Sequence, residues 1–384
     1  MILSAIAISI LIIYLVFIGL LVYGFDKVDD FKLQDLPAKT KLSVLIPFRN
    51  EAENLPHLLD SISELNYPES LYEIIFIDDA SEDDSVFIIE KFLGPTSSEK
   101  ECSQNKTIRI IKNKRTSNSA KKDAITCAIA ISKFNWIVTT DADCILPKYW
   151  LDAFDECIQT KNTNCIVAPV TYYGQNSFFK RFQILDFLSL QGATLGGFGI
   201  KKPFLSNGAN FAYRKVIFKK LDGFDGNSQI ASGDDIFLLE KFLKYNSKKV
   251  HYLKTKKAMV ITNPVKTFSE LIQQRLRWAS KTSKSSNLFA KALGLCVFLA
   301  NFLCISFIPL VLFNLISLKI VFALFSIKFS IDFLLLFKIT RFFKQESVLL
   351  SYKFSSLLYP FFNVYIVLLS VFKSYQWKGR TFKK

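Results

Sequence analysis

The chain has 384 residues, of which half are hydrophobic, and its formal net charge is +16. Its two histidines, His57 and His251, exclude a histidine-rich metal site, and its seven scattered cysteines argue against a zinc site or a disulfide framework. Any metal must then be held by carboxylates, which points to magnesium or manganese.

Many of the lysines and arginines flank apolar segments, and this placement bears on the kind of partner. A strongly basic protein can bind nucleic acid by releasing phosphate counterions. Here the basic residues flank apolar runs, as Lys338, Arg341 and Lys353 do, and they also fill the tail 373–384. This pattern favours an anionic membrane surface as the partner and predicts no nucleic-acid partner.

The N-terminal segment 2–23 carries no charged side chain. At a rise of about 1.5 Å per residue, a helix of this length crosses a hydrocarbon core of about 30 Å. A cleaved signal peptide is the competing interpretation, but a basic n-region and an A-x-A-like cleavage site are missing. We therefore predict an uncleaved anchor over residues 1–24. Four lysines follow it and predict, by the positive-inside rule, a cytoplasmic location for the next domain: Lys27, Lys32, Lys39 and Lys41.

The C-terminal region 288–372 contains three more apolar runs, at 292–318, 320–337 and 354–372. The middle run contains Lys328 and Asp332 and is the weakest candidate for a simple span. If all three runs cross the membrane, the basic tail ends outside, whereas the positive-inside rule favours the inside. A re-entrant or interfacial middle segment would resolve the conflict, so two or three spans remain open.

Between these hydrophobic ends, residues 41–282 are predicted to form the catalytic domain. Short apolar runs alternate there with amphipathic stretches, which is typical of a βαβ sheet. Strands are predicted at 43–47, 73–77, 108–111 and 136–140. Helices are predicted at 51–65, at 86–93 with Ser81 as the N-cap, and at 120–132.

Polar clusters follow three of the predicted strands. Arg49 and Glu51 follow the first, Asp79 ends a pair after the second, and Asp141 and Asp143 follow the fourth. Ligands of open α/β sheets bind beyond the carboxyl ends of the strands. The three clusters are therefore expected to converge on one edge of the sheet.

The Asp141-Ala-Asp143 segment can direct two carboxylates toward one cation. Magnesium is usually held by one or two carboxylates together with substrate phosphates. The alternative interpretation is a surface turn, in which D-x-D is common. The acidic pair Asp78 and Asp79 has a similar alternative, because acidic residues often cap the helix that follows.

The segment Ser232-Gly-Asp-Asp235 opens a predicted helix over Ile236–Tyr245. Acidic residues are favoured at a helix start by the helix dipole, so capping is one interpretation. The other is a general base, because a carboxylate held rigidly at a cleft can take a proton from an acceptor hydroxyl.

Gln274, Arg277 and Trp278 lie at i, i+3 and i+4 of a helix that begins with a capping box, Thr267–Glu270. They therefore share one face, which offers an amide, a guanidinium suited to diphosphate and a ring that can stack on a sugar. A membrane-surface helix with an interfacial tryptophan is the alternative.

Together, these segments resemble the family 2 glycosyltransferases, in the membrane branch that contains ceramide glucosyltransferase, cellulose synthase and hyaluronan synthase. The resemblance covers roughly Leu42–Ser280. The opening strand and loop, with Pro47, Arg49 and Glu51, resemble the family's donor-binding segment, and Asp79 its uridine-binding acidic segment.

The later motifs follow in the family's order. Lys121–Ile125 resembles the G-K-x-x-A-L stretch, although alanine stands where glycine is usual. Asp141 and Asp143 match the metal-binding D-x-D, and Asp235 matches the aspartate of the E-D dipeptide, with Asp234 replacing the glutamate. The Q-x-x-R-W motif is matched by Gln274, Arg277 and Trp278, and the tail segment Trp377–Arg380 resembles a W-x-G-R ending of some bacterial members.

The resemblance implies an α/β fold, a GT-A-like Rossmann-type domain with a mixed sheet, and an integral protein of the bacterial inner membrane. It implies an inverting transfer from a nucleotide-sugar donor, expected to be a UDP-sugar, to a membrane-associated lipid acceptor. Mg²⁺ or Mn²⁺ and Arg277 would stabilise charge on the leaving diphosphate, and Asp235, beside Asp234, would be the general base.

Three points stay open at this level. A processive polysaccharide synthase with a glycan acceptor is one alternative function, although at most four spans favour a single transfer to lipid. A catalytically inactive membrane scaffold is the other. The glycine-rich stretch 178–202 is expected to be a loop, either a mobile loop that gates the site or a plain one.

Overall fold

The computed structural model describes residues 2–94, 107–174, 176–228, 230, 232–378 and 380–382, and leaves the side chains at 282, 283, 377 and 381 undescribed. Contacts between residues divide the chain into two compact units. Asp30–Tyr173 and Ser206–Asn263 form what we call the sheet unit. Met1–Asp29, Gly174–Leu205 and Pro264–Lys384 form the helical unit.

The sheet unit is built on a seven-stranded mixed sheet with the order β3-β2-β1-β4-β7-β5-β8. Its strands are β1 (Leu42–Phe48), β2 (Tyr72–Asp78), β3 (Ile108–Lys112), β4 (Trp136–Thr139), β5 (Cys165–Val167), β7 (Phe211–Arg214) and β8 (Val250–Tyr252). The strands from β3 to β4 are parallel, and β7 runs antiparallel to both of its neighbours. Two short strands, β6 (Val170–Tyr172) and β9 (Val260–Thr262), pair separately. This arrangement confirms the predicted mixed α/β sheet.

The helices of the sheet unit are α2 (Leu55–Ser63), α3 (Ser85–Leu93), α4 (Ala120–Ile131), α5 (Trp150–Thr160), α7 (Lys215–Lys220) and α8 (Asp234–Asn246). Strands β1 and β2 are almost wholly buried, as expected for parallel strands covered on both faces. All four predicted strands are present, each within one residue of its predicted bounds at either end.

The predicted N-cap at Ser81 is wrong. Helix α3 begins at Ser85 after Asp84, three residues later than that cap requires. Ser81 belongs instead to the loop after β2, where its N–H donates to the Asp78 carboxylate over 2.8 Å and its hydroxyl accepts from the N–H of Asn50 over 3.2 Å. Contacts with another loop decide its place, and these are not visible in local sequence.

The helical unit contains α1 (Ile2–Lys27), α6 (Phe178–Gly199), α9 (Phe268–Lys284), α10 (Leu288–Leu312), α11 (Leu318–Phe343) and α12 (Tyr352–Phe372). A short hairpin of β10 (Tyr375–Trp377) and β11 (Arg380–Phe382) follows. Among the described residues, four segments are long and apolar enough to cross a membrane: Ile2–Lys27, Leu288–Leu312, Leu318–Phe343 and Glu346–Phe372.

The expected loop at 178–202 is also wrong, because most of this stretch forms helix α6. Its glycines serve helix packing. A Cβ on Gly196 would overlap the backbone of Leu21, and one on Gly199 would overlap the backbone of Gly24. Small residues let two helix backbones approach this closely. Glycine therefore marks the contact of α1 with α6, and neither form of the loop prediction holds.

The middle C-terminal run forms α11, one continuous helix of 26 residues. The two charged residues in the middle of this helix compensate each other: the Lys328 ammonium lies 2.8 Å from Asp332. The hydroxyl of Tyr14 on α1 donates to the same carboxylate over 2.6 Å. Ionisable groups in apolar helices are tolerated when they are paired in this way.

Candidate active site

The loops after β1 and β2 are joined at the carboxyl edge of the sheet. The N–H of Asp79 donates to the carbonyl of Phe48 over 2.9 Å. The Arg49 guanidinium donates to the carbonyl of Asp79 over 2.9 Å and to that of Ala80, and it pairs with Glu82. Two of the predicted donor-side residues, Arg49 and Asp79, are thus in direct contact.

The other two residues of the first predicted cluster have different surroundings. Pro47 lies inside strand β1, in register with Ile77. The Glu51 carboxylate accepts from the Asn54 amide over 2.7 Å, and its N–H donates to the Ser85 hydroxyl over 2.8 Å. Glu51 therefore organises the turns that lead into α2 and α3.

The Asp79 carboxylate is almost fully buried and is held by two residues that the sequence analysis missed. Arg115 Nε lies 2.6 Å from its Oδ1, and Asn113 Nδ2 lies 2.7 Å from the same oxygen. Both residues directly follow β3, at the same edge as the other clusters. A polar pair after the third strand was the signal that could have found them.

Lys121, in the first turn of α4, joins two of the predicted acidic motifs. Its ammonium lies 2.5 Å from Asp141 Oδ1 and 3.3 Å from Asp234 Oδ2. Burial lowers the pKa of Lys121, but the two carboxylates outweigh burial and hold that pKa well above its usual value. The side chain is therefore a permanent cation between the D-x-D motif and the start of α8.

Gly208, which the sequence analysis also missed, allows this close approach. A Cβ at this position would lie 2.6 Å from Asp234 Oδ2 and 3.2 Å from Lys121 Nζ. The segment around it is fixed by Asn210, whose fully buried side chain bonds to the Trp150 indole over 2.9 Å and to two backbone carbonyls. A side chain larger than hydrogen at 208 would push the acidic group away.

Asp235, the predicted general base, is the second residue of α8. Its Oδ1 accepts from the N–H of Ile236 over 2.8 Å, and its Oδ2 accepts from the N–H of Gly208 over 3.3 Å. Gly233, the N-cap residue of α8, has a φ of +88° and provides no side-chain cap. The acidic pair therefore lies in the first turn of the helix, largely buried, with one carboxylate oriented by backbone N–H groups.

Asp141 and Asp143 lie in the turn after β4. Among the described residues, no group of three or more His, Cys, Asp or Glu side chains is close enough to hold a metal ion alone. The Asp141 carboxylate already pairs with a cation, the ammonium of Lys121. The two carboxylates fit a hard divalent ion whose other ligands come from substrate phosphates, and they do not fit a protein-only cage.

The third motif lies in the helical unit, on α9. The capping box is confirmed, since the N–H of Glu270 donates to the Thr267 hydroxyl over 3.2 Å and the N–H of Thr267 donates to the Glu270 carboxylate over 3.1 Å. Reciprocal bonds of this kind satisfy donors at a helix start. They fix the beginning of the helix that carries Gln274, Arg277 and Trp278.

Arg275, inside this motif, was not singled out from the sequence. It is buried and its Nε lies 2.6 Å from Asp186 Oδ2, on α6. Its guanidinium lies 4.1 Å from the ring centroid of Trp278, and it donates to the amide oxygen of Gln274. Two of the three predicted residues of the motif are thus held by one buried ion pair.

A mixed-sheet α/β unit with acidic clusters at its carboxyl edge is typical of open α/β proteins that bind a ligand beyond the ends of their strands. Two protein-family models match the chain: "Glycosyl transferase family 2" over residues 43–222, and "Glycosyl transferase family group 2" over residues 136–372. The second match covers more than half of the chain. The protein therefore belongs to the family 2 glycosyltransferases, a family of transferases that use nucleotide-sugar donors.

Two curated relatives match shorter stretches. An undecaprenyl-phosphate 4-deoxy-4-formamido-L-arabinose transferase of Proteus mirabilis is 34% identical over 104 residues, 27% of this chain and 29% of that protein. Glycosyltransferase AglE of Haloferax volcanii is 39% identical over 51 residues, 13% of this chain and 17% of that protein. Both matches cover less than two thirds of the relative.

Among solved structures, the mannosyltransferase PcManGT of Pyrobaculum calidifontis, in complex with GDP-Man and Mn²⁺, is similar over 96% of this chain and 99% of its own, with a TM-score of 0.59 and 14% identity. At this identity the likeness concerns the fold. It confirms the predicted GT-A-like domain with long apolar helices at both ends.

Proposed function

We propose that this protein is a metal-dependent, inverting hexosyltransferase that moves a sugar from a nucleotide-sugar donor to a membrane-associated lipid acceptor. One observation carries the proposal: Lys121 links Asp141, on the expected donor side, with Asp234, which directly precedes the candidate base Asp235. Donor and acceptor chemistry would then meet at one edge of the sheet unit.

In this proposal, Asp235 accepts the proton of the acceptor hydroxyl while that oxygen attacks the anomeric carbon. The bond to the nucleoside diphosphate breaks on the opposite face, so the configuration inverts. A divalent ion at Asp141 and Asp143 would stabilise the charge on the leaving diphosphate. Asp79, with Arg49 beside it, is assigned to the donor nucleoside, and Lys121 to the donor side of the site.

Gln274, Arg277 and Trp278 are assigned to donor binding through the family resemblance. Arg277 offers a guanidinium that can pair with a diphosphate, and Trp278 offers a ring for stacking. The support within the helical unit is that Arg275 holds Gln274 and Trp278 in defined orientations. Defined orientation is a requirement of preorganised binding.

A lipid acceptor is supported by two findings. In the part of the chain that the structure describes, four segments are long and apolar enough to cross a membrane, which would place the protein near lipid substrates. One relative is named for a transfer involving undecaprenyl phosphate. For the metal, the support is the pair Asp141 and Asp143 and a fold relative solved with Mn²⁺. The catalytic unit is assigned to the cytoplasmic side of a bacterial inner membrane.

The test uses the purified full chain in lipid nanodiscs with Mg²⁺ or Mn²⁺. A panel of UDP-sugars and GDP-sugars is screened for release of nucleoside diphosphate, with and without polyprenyl phosphates and total lipid extract. We expect metal-dependent release that lipid stimulates, with one discrete lipid product. A growing polymer formed without added lipid would favour a polysaccharide synthase, and no release from any donor by folded protein would favour a scaffold.

A further inference from the structure

Lys122 is the most deeply buried charged side chain of the first turn of α4, with 1% of its surface exposed. An ammonium group in such a place is costly unless it is fully hydrogen-bonded. Its position near a helix N-terminus adds a further cost, because the helix dipole disfavours cations there. A lysine at this position therefore needs strong compensating contacts.

Those contacts lie in the loop that leads to the acidic pair of α8. Lys122 Nζ donates to the carbonyl of Asn227 over 2.7 Å and to the carbonyl of Ile230 over 2.8 Å. Both bonds join a charged donor to backbone, which is stronger than a neutral bond. The lysine thus fixes two points of the chain within eight residues of Asp235.

The same ammonium also contacts α8 itself. It lies 5.1 Å from the ring centroid of Phe237, two residues beyond Asp235. That ring fills the space next to Gly233, where an added Cβ would lie 2.5 Å from it. Lys122 and Phe237 therefore set the turn at Gly233, from which the helix and its acidic pair begin.

The neighbouring lysine provides a contrast. Side chains of consecutive residues point in different directions on a helix. Lys121 accordingly reaches Asp141 and Asp234, whereas Lys122 reaches the loop carbonyls. Two adjacent lysines of one helical turn thus have different partners: carboxylates for Lys121 and backbone carbonyls for Lys122.

We propose that Lys122 is a positioning residue for the general base: it holds the chain at Asn227 and Ile230, just before α8, so that the Asp235 carboxylate meets the acceptor hydroxyl. The proposal rests on the proposed function. Its consequence is selective, because loss of Lys122 should slow sugar transfer while the donor still binds. A small displacement of a catalytic group is enough for a large loss of rate.

The main experiment compares Lys122→Met with the matched control Lys121→Met in nanodiscs. Methionine removes the charge and the donors but keeps similar length. For Lys122→Met we expect kcat to fall about tenfold or more, a part of what a general base contributes. Its dissociation constant for nucleoside diphosphate, measured by calorimetry with Mn²⁺, should stay within about twofold of the parent. Lys121→Met should weaken that binding instead, and Lys122→Arg should restore part of kcat.

A second measurement does not need turnover. Hydrogen exchange of backbone amides is compared between the parent and Lys122→Met, and faster exchange is expected at 224–228, 230 and 232–236, with the strands β1, β2 and β4 unchanged. Unchanged kcat and unchanged exchange would overturn the proposal. So would an equal loss of donor affinity and turnover, or a lower folded fraction with full kcat per folded molecule. Absence of turnover in the parent would instead refute the proposed function.

Discussion

At the scale of single residues, the sheet unit brings two acidic motifs to one partly buried cation, Lys121. Asp141 and Asp234 are 93 positions apart in the chain, yet both contact the ammonium of Lys121. Asp235 lies beside this group with its carboxylate bound to backbone N–H groups. The roles of these carboxylates can be separated by substitution.

Asp235→Asn should abolish sugar transfer because the amide cannot take the acceptor proton. A loss of about 10² to 10⁴ in kcat is expected for removal of a general base. Nucleoside-diphosphate affinity, measured by calorimetry, should remain nearly that of the parent. If donor affinity and turnover were lost together, Asp235 would belong to the donor site.

Asp143→Ala should remove metal-dependent donor binding. The metal is expected to be held by few protein ligands, so one carboxylate is a large share of its coordination. The measurement is nucleoside-diphosphate binding with Mn²⁺ and with EDTA, in which the parent should show a large difference and the variant almost none. An unchanged Mn²⁺ effect would exclude Asp143 as a ligand.

At the scale of secondary-structure elements, the glycines of α1 allow a matched test of helix packing. Gly24 lies where a Cβ would overlap the backbone of Gly196, whereas nothing lies within 4 Å of a Cβ on Gly19. Gly24→Ala should therefore lower the thermal midpoint in detergent, by forcing α1 away from α6. Gly19→Ala should leave it unchanged or raise it, because alanine favours a helix. Equal midpoints would contradict the tight contact.

The ion pair between α6 and α9 offers a second test at this scale. Asp186 and Arg275 are 7% and 6% exposed, so removal of one partner leaves a buried charge. Asp186→Leu should cost about 3–5 kcal/mol of stability, and the double variant Asp186→Leu with Arg275→Met should recover much of it. The loss of stability in the single variant and its recovery in the double variant are measured as shifts of the thermal midpoint in detergent. A double variant as unstable as the single one would show that the pair is not coupled.

At the scale of the whole molecule, the C-terminal hairpin limits the ways in which the chain can cross a membrane. The N–H of Gln376 in β10 donates to the Gln273 side chain of α9 over 2.8 Å. We therefore expect the tail and α9 to lie on the same side of the membrane. An even number of crossings would then separate them, which predicts that α10, α11 and α12 do not all cross.

Cysteine labelling tests this limit. Ser269→Cys places an exposed thiol on α9, and Lys378→Cys places a partly exposed thiol in the turn of the hairpin. Both should react with a membrane-impermeant maleimide from the same face of sealed vesicles, after subtraction of the signal from the native cysteines. Reaction from opposite faces would contradict the contact between the tail and α9. Reaction of both only from the cytoplasmic face would also support the proposed orientation.

Local sequence was sufficient for features that depend on neighbours in the chain. Short apolar runs predict the strands, and the polar clusters after β1, β2 and β4 lie where parallel strands bring them. The capping box of α9 and the long apolar helices follow from spacing and composition alone. These features are local, or follow from a regular topology.

The tertiary structure decided the features that depend on residues far apart in the chain. The glycines of 178–202 belong to a helix because α1 packs against them, and Ser81 lies in a loop because Asn50 meets it. The roles of Arg115 and Lys122 follow from their contacts with Asp79 and with the chain before α8. Sequence determined which groups line the edge of the sheet, and long-range packing determined which of them touch, because a contact needs two segments and a motif describes only one.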